Sequence, residues 1–329
     1  MPHPSRRSLL KALSFAAVPT LTLSKRAIAQ DIYPSRPVTL VVPQPPGGDA
    51  DVFCRSLQAK MQEELGQALV IENRAGAAGN IGTAVGAKAQ PDGYTMTFVN
   101  QGTMALNPHI YPNTGYAVNQ FEPISHLASV DLLICAHPSV QARNLAEFLE
   151  LARRSPGRYN YGTAGNGSAN HLAGEMLKAM AKVDLVHVPY KGGAPAINAA
   201  LGGEIQCVVA FPLAALPHVQ AGKLKALAVT GIQRAQALPN VPTVIESGVP
   251  GYEFSSWFGF VVPKGTPASI VHRLNVAATS ALEVPQVAQR LQTSMTTPVG
   301  STPEAFAQLI VQEDARWAKL IKQYNIHID

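Results

Sequence analysis

The segment that most constrains this chain is Val38-Thr39-Leu40-Val41-Val42-Pro43-Gln44-Pro45-Pro46-Gly47-Gly48-Asp49-Ala50-Asp51. A β-branched run stops at prolines, two glycines follow, and a helical pattern starts at once with Val52-Phe53-Cys54-Arg55-Ser56-Leu57. Strand, glycine-rich turn and helix start together point to an α/β arrangement. They also leave backbone N–H groups at the helix N-terminus free to face an anion. There is no Walker lysine and no GxGxxG, so neither nucleotide-phosphate motif is satisfied. Two readings stay open for the segment taken alone: a site for a small anion such as a carboxylate, or an ordinary βα loop.

The N-terminus bears on where such a chain works. Residues 1–29 carry Arg6, Arg7, Lys11, Lys25 and Arg26 and no acidic residue, with an apolar stretch from Ala12 to Leu23 and a small-x-small site at Ala27-Ile28-Ala29. This reads as an export signal cleaved near Ala29, because the apolar run is too short for a spanning helix. Ser5-Arg6-Arg7-Ser8-Leu9-Leu10-Lys11 resembles the twin-arginine pattern, with general secretory export as the alternative. The full chain holds 26 basic and 21 acidic residues, and 26 less the five of the signal leaves 21 against 21. The basic balance therefore belongs to the targeting segment, and charge gives no argument for nucleic acid or membrane binding. No later stretch is long and apolar enough to span a bilayer. The expected product is an exported, periplasmic monomer.

Strand-like runs recur at Ala68–Glu72, Tyr94–Val99, Leu132–Ala136, Tyr159–Gly162, Leu185–Pro189, Ile205–Ala210, Leu224–Thr230 and Trp257–Val262. Helical patterns lie between many of them, at Asp51–Leu65, Leu145–Arg154, Ser168–Met180 and Ala194–Leu201. Alternation of this kind predicts an α/β fold with mostly parallel sheets. Ligands then gather at the carboxyl ends of strands, and several of those ends are distinctive. Glu72-Asn73-Arg74-Ala75-Gly76-Ala77-Ala78-Gly79-Asn80-Ile81-Gly82 is a glycine-rich helix entry, and Asn100-Gln101-Gly102-Thr103 offers amide and hydroxyl groups. Tyr161-Gly162-Thr163-Ala164-Gly165-Asn166-Gly167-Ser168-Ala169-Asn170-His171 joins a strand to a helix with good N-caps in Ser168 and Asn170. Val188-Pro189-Tyr190-Lys191-Gly192-Gly193 repeats the pattern. Donor-rich loops in both halves of the chain argue for a cleft.

Catalysis finds little support. Gly165-Asn166-Gly167-Ser168 is not GxSxG, since Asn170 stands where the last glycine belongs. His171, His187 and His218 read as capping or core histidines, Glu175 and Asp184 as solvated acids, and no carboxylate pair is placed for acid–base work. Cys54, Cys135 and Cys207 sit in apolar runs and read as buried free thiols. Without CxxC, HExxH or a close histidine cluster, a metal site is not expected. No catalytic residue, metal or cofactor is assigned.

Across nearly the whole chain after residue 32, the sequence resembles the Bug-type solute-binding receptors of tripartite tricarboxylate transporters. The resemblance rests on Tyr33-Pro34-Ser35-Arg36-Pro37-Val38, Pro46-Gly47-Gly48 with Asp51, Glu72-Asn73-Arg74 with Gly76, Gly79 and Gly82, and Pro91-Asp92-Gly93-Tyr94-Thr95. It continues through Gly165-Asn166-Gly167-Ser168, His171-Leu172-Ala173-Gly174-Glu175 and His187-Val188-Pro189-Tyr190-Lys191-Gly192. Ala226-Leu227-Ala228-Val229-Thr230, Leu238-Pro239-Asn240-Val241-Pro242-Thr243, Pro250-Gly251-Tyr252 and Gly265-Thr266-Pro267 complete it. The resemblance implies a two-domain, hinge-closing periplasmic binding protein of type II, the Venus flytrap. Residues 31–125 and 230–329 would form the first domain and 126–229 the second, with crossings near Ile124–Val130 and Ala228–Gln233. It implies a small carboxylate held between the domains, and membrane permease subunits as partners. A co-receptor that reports the same ligand to a membrane kinase stays open beside transport, and a periplasmic hydrolase is a distant third.

Carried over residue by residue, the resemblance puts the carboxylate cradle at the Gly47 and Gly48 amides. Thr163, Gly165, Asn166, Gly167 and Ser168 face it from the second domain, Asn100, Gln101 and Thr103 line it, and Lys191 meets a second carboxylate or sits exposed. Two positions depart from the family pattern. Asp49 stands where relatives carry a small neutral residue. A carboxylate beside an anion cradle is unfavourable without a cation, so either the ligand bears an amine or pyridine nitrogen or Asp49 turns to solvent. Phe211 stands where a polar residue is common, and either stacks on the ligand or packs beneath its loop.

Overall fold

The computed structural model describes residues 33–323, so the export-signal expectation for 1–29 lies outside the described residues. Strand β1 (Val38–Val42) is buried along nearly its whole length and feeds helix α1 (Asp49–Leu65) through the proline–glycine turn. Gly48 is the extended N-cap of α1, and Asp49 and Asp51 lie in its first turn, where negative charge complements the helix dipole. Next come β2 (Leu69–Asn73), a single turn at Ala77–Gly79, α2 (Asn80–Ala87) and β3 (Thr95–Asn100). A π-helical turn at Gly102–Leu106 and α3 (Asn107–Ile110) follow. The long strand β4 (Phe121–Asp131) ends this part of the chain.

The middle section contributes β5 (Leu133–Ala136), α4 (Leu145–Arg154), β6 (Asn160–Thr163), α5 (Ala169–Ala181), β7 (Val186–Pro189) and α6 (Gly193–Leu201). It closes with β8 (Cys207–Ala210), α7 (Pro212–Gln220) and β9 (Lys225–Val229). The last section carries β10 (Ser255–Pro263), α8 (Ala268–Glu283), α9 (Pro285–Thr293), β11 (Thr296–Pro298) and α10 (Pro303–Gln323).

Two sheets result. The first has the order β11-β4-β10-β3-β1-β2 and the second β7-β6-β8-β5-β9. In the first, β1 pairs in parallel with both β2 and β3, while β10 and β11 pair antiparallel with their neighbours. In the second, β6 pairs in parallel with β7 and β8, and β5 runs antiparallel to β8 and β9. Both sheets are thus mixed, with a parallel group at one side whose carboxyl ends open toward the same space.

The chain passes between the sheets at two places that are stitched to each other. Between β4 and β5, Leu132 N–H donates to Thr230 Oγ1 at 2.7 Å, and just after β9 the Thr230 N–H donates to Leu132 O at 3.0 Å. Thr230 is fully buried, so these bonds run in an environment where losing either leaves an unsatisfied group. The three cysteines are buried free thiols, as their apolar surroundings predict.

Candidate ligand-binding cleft

A cavity of about 230 Å³ lies between the carboxyl ends of the two parallel groups. From the first sheet it is lined by Pro43, Gln44 and Pro45 after β1, by residues 76–79 after β2, and by Asn100, Gly102 and Tyr111 after β3. From the second sheet, Ala164–Asn166 and Ser168–Asn170 after β6 and Pro189–Gly192 after β7 complete the wall. Its position follows from the parallel topology, which places loops and helix starts together at one end of the strands.

Two sets of backbone amides left unused by their own turn or helix belong to residues that line this space, one set from each sheet. On the second sheet, Ser168 caps α5: its Oγ accepts from His171 N–H at 3.2 Å and donates to Gly165 O at 2.7 Å. The amides of Ala169 and Asn170, at the first two helical positions, have no intrahelical acceptor and bound the cavity. On the first sheet, Ala77 and Ala78 both hold positive φ, +46° and +50°, a conformation that costs a residue with a Cβ on the order of 1 kcal/mol or more. The bonds of that turn use the Gly79 and Asn80 amides, leaving those of Ala77 and Ala78 outside it.

The loop at Gly165–Ser168 is held by a histidine pair. Gly167 N–H donates to His171 Nδ1 at 3.1 Å, His171 stacks on His187 at 4.1 Å, and His187 Nε2 is 2.7 Å from Thr163 Oγ1. Burial, with Lys178 adding to it, pulls the His171 pKa down to about 4, so its ring is neutral and Nδ1 stays an acceptor. These side chains shape the loop from behind, as the capping reading of the histidines anticipates. Replacing Ser168 with alanine removes the cap of α5, and chemical denaturation should show a loss of about 1 kcal/mol.

The residues assigned from sequence divide into two groups. Asn100, Gly165, Asn166, Ser168 and Lys191 line the cavity; Lys191 is exposed, as the second of its two readings had it, and among the described residues it is the one charged residue on the wall. Thr103 and Thr163 stand one step back: Thr103 N–H donates to Asn100 Oδ1 at 3.1 Å, and Thr163 Oγ1 accepts from Gly165 N–H at 3.2 Å. The Gly47 and Gly48 amides are occupied inside their own loop. Gly47 N–H donates to Asp51 Oδ2 at 3.0 Å and Gly48 N–H to Pro45 O at 3.3 Å, and neither residue is on the wall. Burial would raise the Asp51 pKa, but bonds from Arg55 and the Gly47 N–H outweigh it and hold the carboxyl ionised.

Gln101 turns away from the cavity, donating through Nε2 to Glu313 on α10 and to Ser255 O. Gly167 lies behind the wall, so close to Tyr111 that an added Cβ would fall 2.6 Å from the ring. Phe211 packs 5.2 Å from Phe258 in the core, in keeping with the packing alternative. Asp49 is 2 % exposed, which removes the solvent-facing alternative. Its Oδ1 accepts from Ala214 N–H on α7 at 2.9 Å, and it is not on the wall. Burial lifts its pKa to about 7 against the opposing backbone bonds.

The sheets are joined across the cleft by further bonds. Tyr111 OH donates to Asn166 O, Tyr252 OH donates to Ala173 O at 3.0 Å, and Asp49 takes the Ala214 amide. Gly192 sits so close to Pro45 that an added Cβ would lie 2.5 Å from two ring carbons. The two halves of the wall are therefore in contact around the cavity.

Residues 53–326 match the family model described as the tripartite tricarboxylate transporter family receptor. This chain belongs to that family. Among solved relatives, the periplasmic binding protein BugD is 36 % identical, with 90 % of this chain and 99 % of that one aligned at a TM-score of 0.86. R. palustris Rpa4515, solved with adipate, is 36 % identical over 90 % and 99 % of the two chains at 0.87. MatC (Rpa3494) from Rhodopseudomonas palustris, with bound malate, is 32 % identical over 88 % and 100 % at 0.83. The fold is accordingly the two-domain α/β Venus flytrap of periplasmic binding proteins, and the receptor family explains a cleft built from helix starts and amides. Among the described residues, no helix is long and apolar enough to cross a membrane.

Proposed function

We propose that this receptor captures a small carboxylate in the cleft and delivers it to the permease subunits of a tripartite tricarboxylate-type transporter. The observation that carries the reading is that Ala77–Ala78 and Ala169–Asn170, whose amides are not used in their own turn or helix, line one cavity on which Lys191 is the one charged residue among the described residues. Backbone N–H groups and a helix N-terminus favour an anion without any chemistry on it. The adipate and malate held by two relatives support the same ligand class. The cleft binds and releases its ligand unchanged, and export places the protein in the periplasm with its leader removed near Ala29.

The two domains are bodies built on the two sheets, with the changeover at Leu132 and Thr230 acting as the hinge. Closure is favoured only by contacts the ligand adds to the closed state. A thermal-shift series of organic acids tests the assignment. At a concentration 100-fold above Kd, a bound ligand adds about 2.7 kcal/mol, which in a domain of this size raises Tm by roughly 5 °C. Mono- and dicarboxylates should give such shifts and neutral sugars of equal size none. Equal shifts from sugars, or none from any carboxylate, would reject the assignment.

A further inference from the structure

We infer that Asn166 is a site of spontaneous deamidation, and that contact between the two halves of the cleft holds the reaction back. Neither statement depends on which ligand the cleft takes; both use the hinge assigned above.

Asn166-Gly167 is the one Asn-Gly step in the sequence. In such a pair the glycine nitrogen attacks the asparagine side-chain carbonyl carbon with no side chain of its own in the way. The new bond from the Gly167 nitrogen to Asn166 Cγ closes a five-membered succinimide. The bond from Cγ to Nδ2 breaks, and Nδ2 leaves as ammonia, taking up a proton in place of the one the Gly167 nitrogen gives to solvent. Water then opens the ring. Breaking the ring bond to Cγ gives aspartate, and breaking the one to the backbone carbonyl gives isoaspartate. The sum is asparagine plus water to acid plus ammonia, with no other reactant.

The first step requires the Asn166–Gly167 peptide plane to turn until its nitrogen faces the side chain, and that plane is held at both ends. Gly167 N–H donates to His171 Nδ1 at 3.1 Å, a bond made within the β6–α5 segment. The Asn166 carbonyl accepts from the OH of Tyr111, which follows α3 on the first sheet's side of the cleft. The Tyr111 ring also covers Gly167, since a Cβ added there would fall 2.6 Å from it. One restraint therefore stays with the second sheet, and the other exists only while the two halves touch. Opening about Leu132 and Thr230 withdraws Tyr111 and leaves the peptide freer to turn and open to water. The product matters for binding because Asn166 is half-buried on the cavity wall. It adds an anion where Lys191 is the one charged residue among the described residues, and like charge opposes a carboxylate.

The test incubates the mature protein at mildly alkaline pH and follows the peptide holding Asn166 by mass spectrometry, with the exposed Asn113 in the same digest as reference. The expected result is a gain of about 1 Da that appears at Asn166 before Asn113. In Tyr111→Phe, which keeps the ring but loses the bond across the cleft, the gain should come about fivefold faster. Asn166→Asp makes one product directly, and in the thermal-shift series it should give smaller shifts with carboxylates than the wild type. Conversion at Asn166 no earlier than at Asn113 would overturn the site. An unchanged rate in Tyr111→Phe would overturn the protection by the closed cleft. Full-sized shifts in Asn166→Asp would overturn the effect on binding. Shifts absent from the wild type as well would reject the carboxylate reading, while the mass gain at Asn166 would still uphold the modification.

Discussion

Replacing Gly192 with alanine is expected to lower affinity for whichever carboxylate the thermal-shift series identifies by at least about 100-fold while the protein still folds. Gly192 holds φ at +124°, a region that residues with a Cβ rarely adopt, and its Cβ would lie 2.5 Å from Cγ and Cδ of Pro45. Real Cβ atoms do not approach that closely, and the proline ring cannot swing aside as a flexible side chain would. The loop after β7 must therefore draw back from the loop after β1 by an ångström or more. Both loops are walls of the same cavity, so the retreat pulls apart the two surfaces that must touch a ligand together. The strained backbone itself costs on the order of 1–3 kcal/mol, a loss that the packed cores of both sheets can absorb. Gly222→Ala is the control, because Gly222 also has positive φ, +67°, but an added Cβ there meets nothing within 4 Å. It should lose a comparable amount of stability and keep its affinity. Calorimetry on both variants, with circular dichroism to follow folding, separates strain from closure. Wild-type affinity in Gly192→Ala would mean that the cleft does not need this contact to hold its ligand.

The architecture was readable in the sequence wherever a segment's local pattern and its final neighbours agree. The run from Val38 to Leu65 is one such place: the β-branched strand is buried, and the Gly48 cap with its acidic first turn starts the helix as the pattern suggests. β4 was not readable. Pro123, Ser125, His126 and Ser129 interrupt any alternation in Phe121–Asp131, and the strand exists because β10, more than a hundred residues away, pairs with it along its length through two register shifts. The three-residue β11 is held in the same way, by pairing with β4 alone.

The site shows a sharper division. That the cavity would be walled by glycine-flanked loops was legible, but which amides are free depends on competition that a motif does not display. Asp51, one turn on, takes the Gly47 N–H, and the Gly48 N–H goes to Pro45 O. Ala77 and Ala78 line the cavity in a left-handed backbone that alanine does not advertise; the sequence hint was only the pair of glycines at 76 and 79. Tyr111 reaches the wall from a loop with no motif of its own, and Tyr190 from a strand-end loop that was singled out without assigning the tyrosine a place in the site.

Measured against Asp49→Asn, the stability of the protein should fall as pH rises from about 4 to about 7; the buried His171, held near 4, contributes the opposite slope up to about 6.5 in both proteins and drops out of the difference. Asp49 is fully enclosed between the start of α1 and the start of α7, and burial raises its pKa to about 7 in spite of the Ala214 N–H. In the unfolded chain the same carboxyl titrates near the ordinary value of about 3.9. Between these limits the folded state holds a proton that the unfolded state has lost, so the proton difference makes unfolding easier with each step up in pH. From pH 5 to pH 8 the loss amounts to about 3 kcal/mol, taking one pKa unit as 1.36 kcal/mol. Asparagine keeps an oxygen that can accept the Ala214 N–H and carries no charge at any pH, so its difference from the wild type should be small at pH 5 and large at pH 8. Because Asp49 and Ala214 sit on opposite sides of the cleft, the same ionisation also works against the closed arrangement, and ligand affinity should weaken over the same interval in the wild type alone. Denaturant unfolding of both proteins at pH 5, 6.5 and 8 reads the slope directly. Parallel curves for the two would show that Asp49 ionises at its ordinary pKa and that its burial is relieved by a neighbouring cation or by opening of the cleft.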